Sequence, residues 1–436
     1  MYITDIHIQN FKLLRDFRLS FGTAEEPRMW TVLVAENGLC KTSILRAIAM
    51  AATGPTRANQ LADVPSLPDR RRPKEELRIE AHLHFGKLGH KRRKYPGLGR
   101  ESRNPPQLHS TIHLDPGHST LLGESAYRDD GPSTPDGLSP LEDAVSQNLP
   151  DWFVAGYGTS RLLPHPFESK RPSLPSKQRL DSLFDRGEII GTGFSSLFDR
   201  RKLGAFNKAL RKALIERHEV LPMAVDLKLR GRNFAGSPED LMEGDLFTLR
   251  EGSDEVKIPA TWLSQGYQST IAWIADLIGH CIFEQDRPIR LETMEGLVLI
   301  DEIDLHLHPK WQAQLIPELK EIFPRLQFVV TTHSPMVLAG VQSEEIVRLV
   351  QDNHGNIIAR PEPTPENPKL LTSSQIYNRY FDVDRTQPAR LGAALRRYGS
   401  LVTADPEVLD AEDREEKRGL RRQLVAAGLD PDREIL

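Results

Sequence analysis

Residues Ala35-Glu36-Asn37-Gly38-Leu39-Cys40-Lys41-Thr42-Ser43 have the types and order of a loop that wraps phosphate groups. Such a loop works because successive backbone N–H groups point inward and the following helix adds its positive N-terminal end. Glu36, Asn37, Gly38, Leu39, Cys40, Lys41, Thr42 and Ser43 are therefore the expected nucleotide-binding run. Lys41 would reach the β- and γ-phosphates, and the Thr42 hydroxyl would ligate Mg²⁺. Two glycines usual in such loops are replaced, by Ala35 and Cys40. If the Cys40 position requires positive φ, the cost is roughly 1–2 kcal/mol, less than several charge-assisted bonds to a triphosphate contribute.

Three further groups carry chemistry. Gly296-Leu297-Val298-Leu299-Ile300 leads into the adjacent carboxylates Asp301 and Glu302. At the C-terminal end of a buried strand, where ligands bind in α/β sheets, Asp301 suits a Mg²⁺ shell. Glu302 suits orienting or deprotonating an attacking water. His333, in Thr331-Thr332-His333-Ser334-Pro335, would hydrogen-bond a γ-phosphate. Leu263-Ser264-Gln265-Gly266 opens a helix with a hydroxyl and a glycine, another N-terminal anion site. Taken singly, each has a plain structural reading: a turn, a solvated Asp-Glu, a strand-end histidine, a helix cap. Their order along one chain favours a single site. Asp304, His306 and His308 have a spacing that suits a loop as well as it suits a metal.

The elements needed to position these groups are legible around them. Tyr2 to Phe21 alternates as a strand pair with Ile6, Ile8, Phe11, Leu19 and Phe21 inward. Trp30–Val34 predicts a strand entering the loop, and Ser43–Ala52 predicts a helix stopped by Gly54-Pro55. Leu77–Phe85 reads as a half-buried strand. Gly86 to about Pro150, rich in Pro, Gly and charge, reads as an insertion with loops and a hairpin around Ser110–Leu114. Asp151–Tyr157 returns to strand character. Residues 175–220 read as helical and basic, with a near-repeat at Ser182–Arg186 and Ser196–Arg200 that reads as chance or a local helix pair. Short strands are expected at Ala224–Leu229, Leu246–Arg250 and Glu255–Ile258. A long helix should start at Ser264, and Leu297–Ile300 and Phe328–Thr331 are fully buried strands of parallel type. The tail after about 370 reads as helical, with Leu420 and Leu424 too sparse for a coiled coil.

Composition sets limits. A net charge of −4 over 436 residues gives no global drive toward nucleic acid, so any contact would use local clusters. Those are Arg70–Lys74, Lys91–Lys94 and Arg200–Lys202; a solvated surface explains them equally well. Two distant cysteines, Cys40 and Cys281, fit neither a disulfide framework nor a zinc site. With no run of about 18 apolar residues and no basic-then-apolar N-terminus, a cytoplasmic protein with no membrane contact is expected.

These motifs resemble the ATPase heads of the RecF/SMC-like and OLD-like ABC-type group, above all Asp301 to Pro309 and Thr331 to Pro335. Gly156-Tyr157-Gly158-Thr159-Ser160-Arg161 is similar to a run recurrent there. The resemblance implies an α/β P-loop NTPase of the ABC-ATPase head type, with an antiparallel β subdomain and a helical insertion. It implies ATP and Mg²⁺ as ligands, with Lys41, Glu302 and His333 catalytic and Thr42 and Asp301 on the metal. It also implies a homodimer or higher homo-oligomer in which Ser264 and Gly266 face nucleotide on a second subunit. Many members are subunits of bacterial anti-phage systems of Septu type. The tail lacks the acidic set of an OLD-type nuclease domain, so a separate effector such as a nuclease is expected to do any cutting. His308 stands where ABC heads often carry aspartate, and no glutamine loop is visible. The expected organisation is an N-terminal head lobe at 1–85, an insertion and helical subdomain at 86–254, a C-terminal head lobe at 255–365 and a helical tail at 366–436. Two alternatives remain open: a nucleotide-dependent scaffold that scarcely hydrolyses because of Ala35 and Cys40, and redox gating through a Cys40 thiol of depressed pKa.

Overall fold

The computed structural model describes residues 1–87, 90, 93–98, 105–127, 139–149, 152–161, 179–185, 200–216, 221, 224–228, 246–284, 291–361, 367–381, 389–403 and 411–429. They fall into two compact units, Met1–Leu371 and Thr372–Leu436.

The first unit is built around two sheets and the helix that follows the phosphate loop. Strands β1 (Tyr2–Phe11), β2 (Leu14–Ser20), β3 (Trp30–Val34) and β4 (Leu77–His84) appear where the sequence predicts them. Then come β5 (Gln107–Leu114), β6 (Leu122–Tyr127) and β7 (Val154–Tyr157). Strands β8 (Ala224–Lys228), β9 (Leu246–Glu251) and β10 (Asp254–Pro259) form a separate three-stranded antiparallel sheet. Next are β11 (Gly296–Ile300), β12 (Leu326–Thr332), β13 (Ile346–Gln351) and β14 (Ile357–Pro361).

One sheet is antiparallel, in the order β2-β1-β4-β5-β6, and the other is β14-β13-β3-β12-β11-β7, parallel except for its β14 edge. The fold is thus mixed α/β, with the antiparallel sheet that the sequence led us to expect. Helix α1 (Lys41–Ala51) packs against strands of both sheets, its Ile44, Leu45 and Ile48 wholly buried. One core joins those side chains to Ile6 and Ile8 of β1, Ile79 of β4 and Leu299 of β11. Each such aliphatic side chain contributes roughly 1.5–3 kcal/mol on burial, so a few of them outweigh one strained loop residue. Gln327, fully buried, ties the layers: its Nε2 donates to the Ile3 carbonyl at 2.9 Å and its Oε1 accepts from the Ile3 N–H at 2.7 Å.

The 86–254 segment, expected as an insertion, supplies strands to both sheets: β5 and β6 extend the antiparallel one, and β7 edges the parallel one. The hairpin is longer than its apolar signal because β5 buries Ser110 and Thr111 beside Leu108 and Ile112, which blunts the alternation. Helix α1 begins at Lys41, not Ser43, and Gly54-Pro55 both ends it and opens α2 (Pro55–Leu61), with proline at its first position. Strands β13 and β14 were not anticipated. Of the near-repeat, residues 186 and 196–199 lie outside the described residues.

The second unit contains helices Ser373–Phe381, Ala389–Thr403 and Ala411–Ala426. Leu395, Tyr398 and Leu424 make its small core, so the sparse leucines seal a helix pair. Arg397 bridges it, 2.5 Å from Glu416 and 3.2 Å from Asp413.

Candidate functional site

Strand β3 ends at Val34, and the chain turns through Ala35–Cys40 into α1, the strand–loop–helix context that a phosphate loop requires. Glu36, Asn37 and Gly38 are exposed at its mouth, while Leu39 and Cys40 pack partly on the core. Gly38 has φ +86°, and nothing would meet a Cβ there. Cys40 has φ +59° and ψ +22°, so the position does demand the left-handed region, at roughly 1–2 kcal/mol. Burial raises the Cys40 thiol pKa; the Leu13 backbone, Ser43 and Lys12 only partly oppose it. That runs against the expectation of a depressed thiol: desolvation outweighs the hydrogen bonds and the charges of Lys12 and Arg71.

Lys41 is 8 % exposed, and its Nζ donates to the carbonyls of Ala35 at 2.8 Å and Glu36 at 3.0 Å. Burial lowers its pKa, against the pull of Asp301 and Glu302. The Thr42 hydroxyl donates to Asp301 Oδ2 at 2.7 Å. Asp301 Oδ1 accepts from the Thr331 hydroxyl, also at 2.7 Å, and the Asp301 N–H is held by the Tyr157 carbonyl. A hydroxyl and a carboxylate in contact beside a buried ammonium form a hard-oxygen set that suits Mg²⁺.

Glu302 does not continue the strand. Its φ is +49°, so it leaves β11 in the left-handed region, its N–H donating to Thr331 Oγ1 at 2.7 Å. A backbone turn thus separates the two adjacent carboxylates. The turn is held by Arg161, whose guanidinium donates to the carbonyls of Asp301 and, at 3.0 Å, Glu302. Arg161 is 2 % exposed. Burial brings its pKa down to about 10, so it stays charged at neutral pH.

His333 follows β12, half-buried, its pKa lowered by burial first and then by Lys41. It is therefore a neutral imidazole near pH 7. Around it, the Thr332 hydroxyl donates to Asp304 Oδ1 at 2.6 Å, and the Ser334 hydroxyl donates to Gln312 Oε1 at 2.6 Å. His308 caps the Pro309–Ile322 helix, its Nδ1 accepting from the Lys310 N–H. Asp304 and His308 thus have local structural tasks.

Lys41, Thr42, Asp301, Glu302 and His333 therefore converge from three parts of the chain. Ser264 and Gly266 do not join them by hydrogen bonds: among the described residues none links either to residues 35–43. The Ser264 carbonyl accepts the first bond of the Gln265–Glu284 helix, and its side chain is exposed. Gly266 is buried against the His306 carbonyl, 2.3 Å from where a Cβ would lie, so glycine there permits a close approach within the chain. Sequence reasoning missed Arg161 and Thr331 as parts of the site. The signals available were an arginine closing the small-residue run after β7 and paired hydroxyls at the end of a buried strand.

The basic clusters are less available than their sequence implies. Arg71 and Arg72 pair with Asp69, and Arg93 is buried 2.6 Å from Glu295. Lys91 and Arg92 lie outside the described residues. No described helix is long and apolar enough to cross a membrane.

Residues 141–339 match the family described as "AAA domain, putative AbiEii toxin, Type IV TA system". The chain is 25% identical over 431 residues to the Septu protein PtuA of Bacillus mycoides, covering 97% of this chain and 50% of that protein. It is 32% identical over 228 residues to the "Retron Vc95 probable ATPase" of Vibrio cholerae, covering 51% and 42% of the two chains. An OLD nuclease of Thermus scotoductus is 25% identical over 440 residues, covering 92% of this chain and 72% of that one. The chain spans half or less of the length of the first curated relatives it matches. Among solved structures, an SMC head bound to the C-winged helix domain of ScpA aligns at 17% identity with a TM-score of 0.46, covering 83% of this chain and 98% of that one.

Proposed function

We propose that this chain, an ATPase-like protein resembling the ABC-type group of the RecF/SMC-like and OLD-like heads, binds and hydrolyses ATP between two copies of itself. The observation that carries the reading is the Thr42–Asp301 contact at 2.7 Å, beside the buried Lys41 ammonium. Lys41 would leave the Ala35 and Glu36 carbonyls for phosphate oxygens, a stronger charge-assisted bond. Thr42 and Asp301 would hold Mg²⁺, which when bound supplies Lewis-acid charge at the phosphates. Glu302, set apart by its left-handed backbone, would orient the attacking water and take its proton. His333, kept neutral, would donate one hydrogen bond to the γ-phosphate. Exposed Ser264, at a helix N-terminus, supports a contact with nucleotide held by a second copy.

Opening and closing of that dimer would regulate a separate effector, a nuclease in the first instance, in bacterial anti-phage defence. The similarity to Septu and retron proteins supports this setting. DNA contact would use basic residues other than Arg71, Arg72 and Arg93, which are already paired. The test is the mass of the Glu302→Gln protein with saturating ATP and Mg²⁺, measured by light scattering. A dimer supports the reading; a monomer at every concentration contradicts it. A second reading, a nucleotide-dependent scaffold with little or no hydrolysis, is favoured by one observation, the left-handed Cys40 at a glycine position. Under it, nucleotide would drive assembly without turnover.

A further inference from the structure

Away from the phosphate loop, the antiparallel sheet turns a polar face outward. His7, His82, His84, His109 and His113 alternate with the buried positions of β1, β4 and β5, placing five of the chain's 14 histidines on that face. At one end of it Glu76, His113 and Asp115 each bring a ligand atom within 4.8 Å of the other two. The grouping follows from the register: Leu77 pairs with Leu114, so Glu76, just before β4, lies beside the end of β5.

We propose that Glu76, His113 and Asp115 bind a divalent transition ion of zinc type. Two carboxylates converge here with little to balance them. Arg78 is 3.9 Å from Glu76 but is engaged with Glu80 at 2.7 Å. The His113 side chain makes no hydrogen bond or ion pair among the described residues, so its imidazole is available as a donor. His118, in the same turn, stands outside this group of three. The His118 N–H closes onto the Asp115 carbonyl at 3.1 Å through Gly117, and His118 Nδ1 is 3.9 Å from Asp115 Oδ2.

The set is chemically mixed, one imidazole and two carboxylates, which suits zinc and neighbouring ions rather than Mg²⁺ or Ca²⁺ with their all-oxygen shells. Tetrahedral bonds of about 2.0–2.1 Å would bring the donors to roughly 3.3 Å apart, a closure of about 1.5 Å that surface side chains reach by rotation. The ion would tie the β5–β6 turn to the start of β4. Since the site shares no residue with the phosphate loop, its outcome is independent of the ATPase reading.

The test is competition for Zn²⁺ against a chromogenic chelator, using the full chain in excess Mg²⁺. The unmodified chain is expected to bind one ion that both His113→Ala and Asp115→Asn weaken by roughly tenfold or more, since loss of even an outer partner costs that much. His82→Ala, on the same face, and Thr42→Ala are expected to leave this binding unchanged. Both tested positions reach solvent, so neither change disturbs the core. The proposal is overturned if the unmodified chain takes up no Zn²⁺, if either variant at 113 or 115 binds as it does, or if His82→Ala is the change that abolishes binding.

Discussion

The Thr42 hydroxyl meets the Asp301 carboxylate at 2.7 Å across 259 positions of sequence. That bond joins the helix after the phosphate loop to the end of β11, and the remaining chemistry is arranged around it. Removing the Asp301 charge should therefore be felt at the site more than in the fold. Asp301→Asn is expected to lower ATP turnover by about 10²-fold, with the far-UV spectrum unchanged; turnover within threefold of the natural protein would exclude Asp301 from the metal shell.

Cys40 sits left-handed beside Gly38. Replacing it with glycine removes roughly 1 kcal/mol or more of backbone strain, set against a small loss of packing by the half-buried thiol. Urea unfolding of Cys40→Gly should show a stability gain of about 0.5–1 kcal/mol. Turnover measured on the same protein separates the two functional readings: a large rise would mean that Cys40 limits hydrolysis, as the scaffold reading requires.

How much of this was legible in the sequence depends on how each signal arises. The phosphate loop, β11, β12 and the α1 helix follow from local runs of residue types, with α1 beginning at Lys41, ahead of the expected Ser43. The left-handed turn at Glu302 could not be read, because it depends on Arg161 reaching across from β7 to two carbonyls. The outward extent of the antiparallel sheet was obscured by Ser110 and Thr111, polar residues that β5 buries. Arg93 looked like part of a basic surface cluster and is a buried ion-pair partner of Glu295; only tertiary structure supplies the glutamate.

Arg161 donates to three backbone carbonyls, those of Gly158, Asp301 and Glu302, from a buried position, and a lysine cannot reproduce that fork. Arg161→Lys should cost about 1.5–3 kcal/mol of stability, the range for hydrogen bonds to charged groups. It should lower kcat more than nucleotide affinity, because it loosens Glu302 rather than the phosphate loop. Equal loss in both would make Arg161 a purely structural residue.

His84, His280 and His333 all have depressed pKa values, with burial the leading cause; that of His84 falls to about 4. The unfolded chain binds these protons near the ordinary value of 6.5, while the folded chain resists them. Their contribution to stability is therefore complete above about pH 6.5 and declines as pH falls toward 4. Thermal melts across that window should show a falling midpoint. A His84→Gln variant should flatten the curve; an unchanged slope would place the acid sensitivity elsewhere.

Ser264 is exposed, so a bulky cation there should leave the fold alone. Ser264→Arg is expected to retain nucleotide binding while losing nucleotide-driven dimerisation, read by light scattering. Dimerisation at the natural concentration dependence would remove Ser264 from the interface.

The central claim is hydrolysis, and ATP turnover by the natural chain beside its Glu302→Gln variant tests it most directly. Measurable phosphate release is expected, lowered at least about 10²-fold in the variant, with nucleotide still bound. Equal turnover in the two proteins, or none in either under conditions where ATP binds, would contradict it.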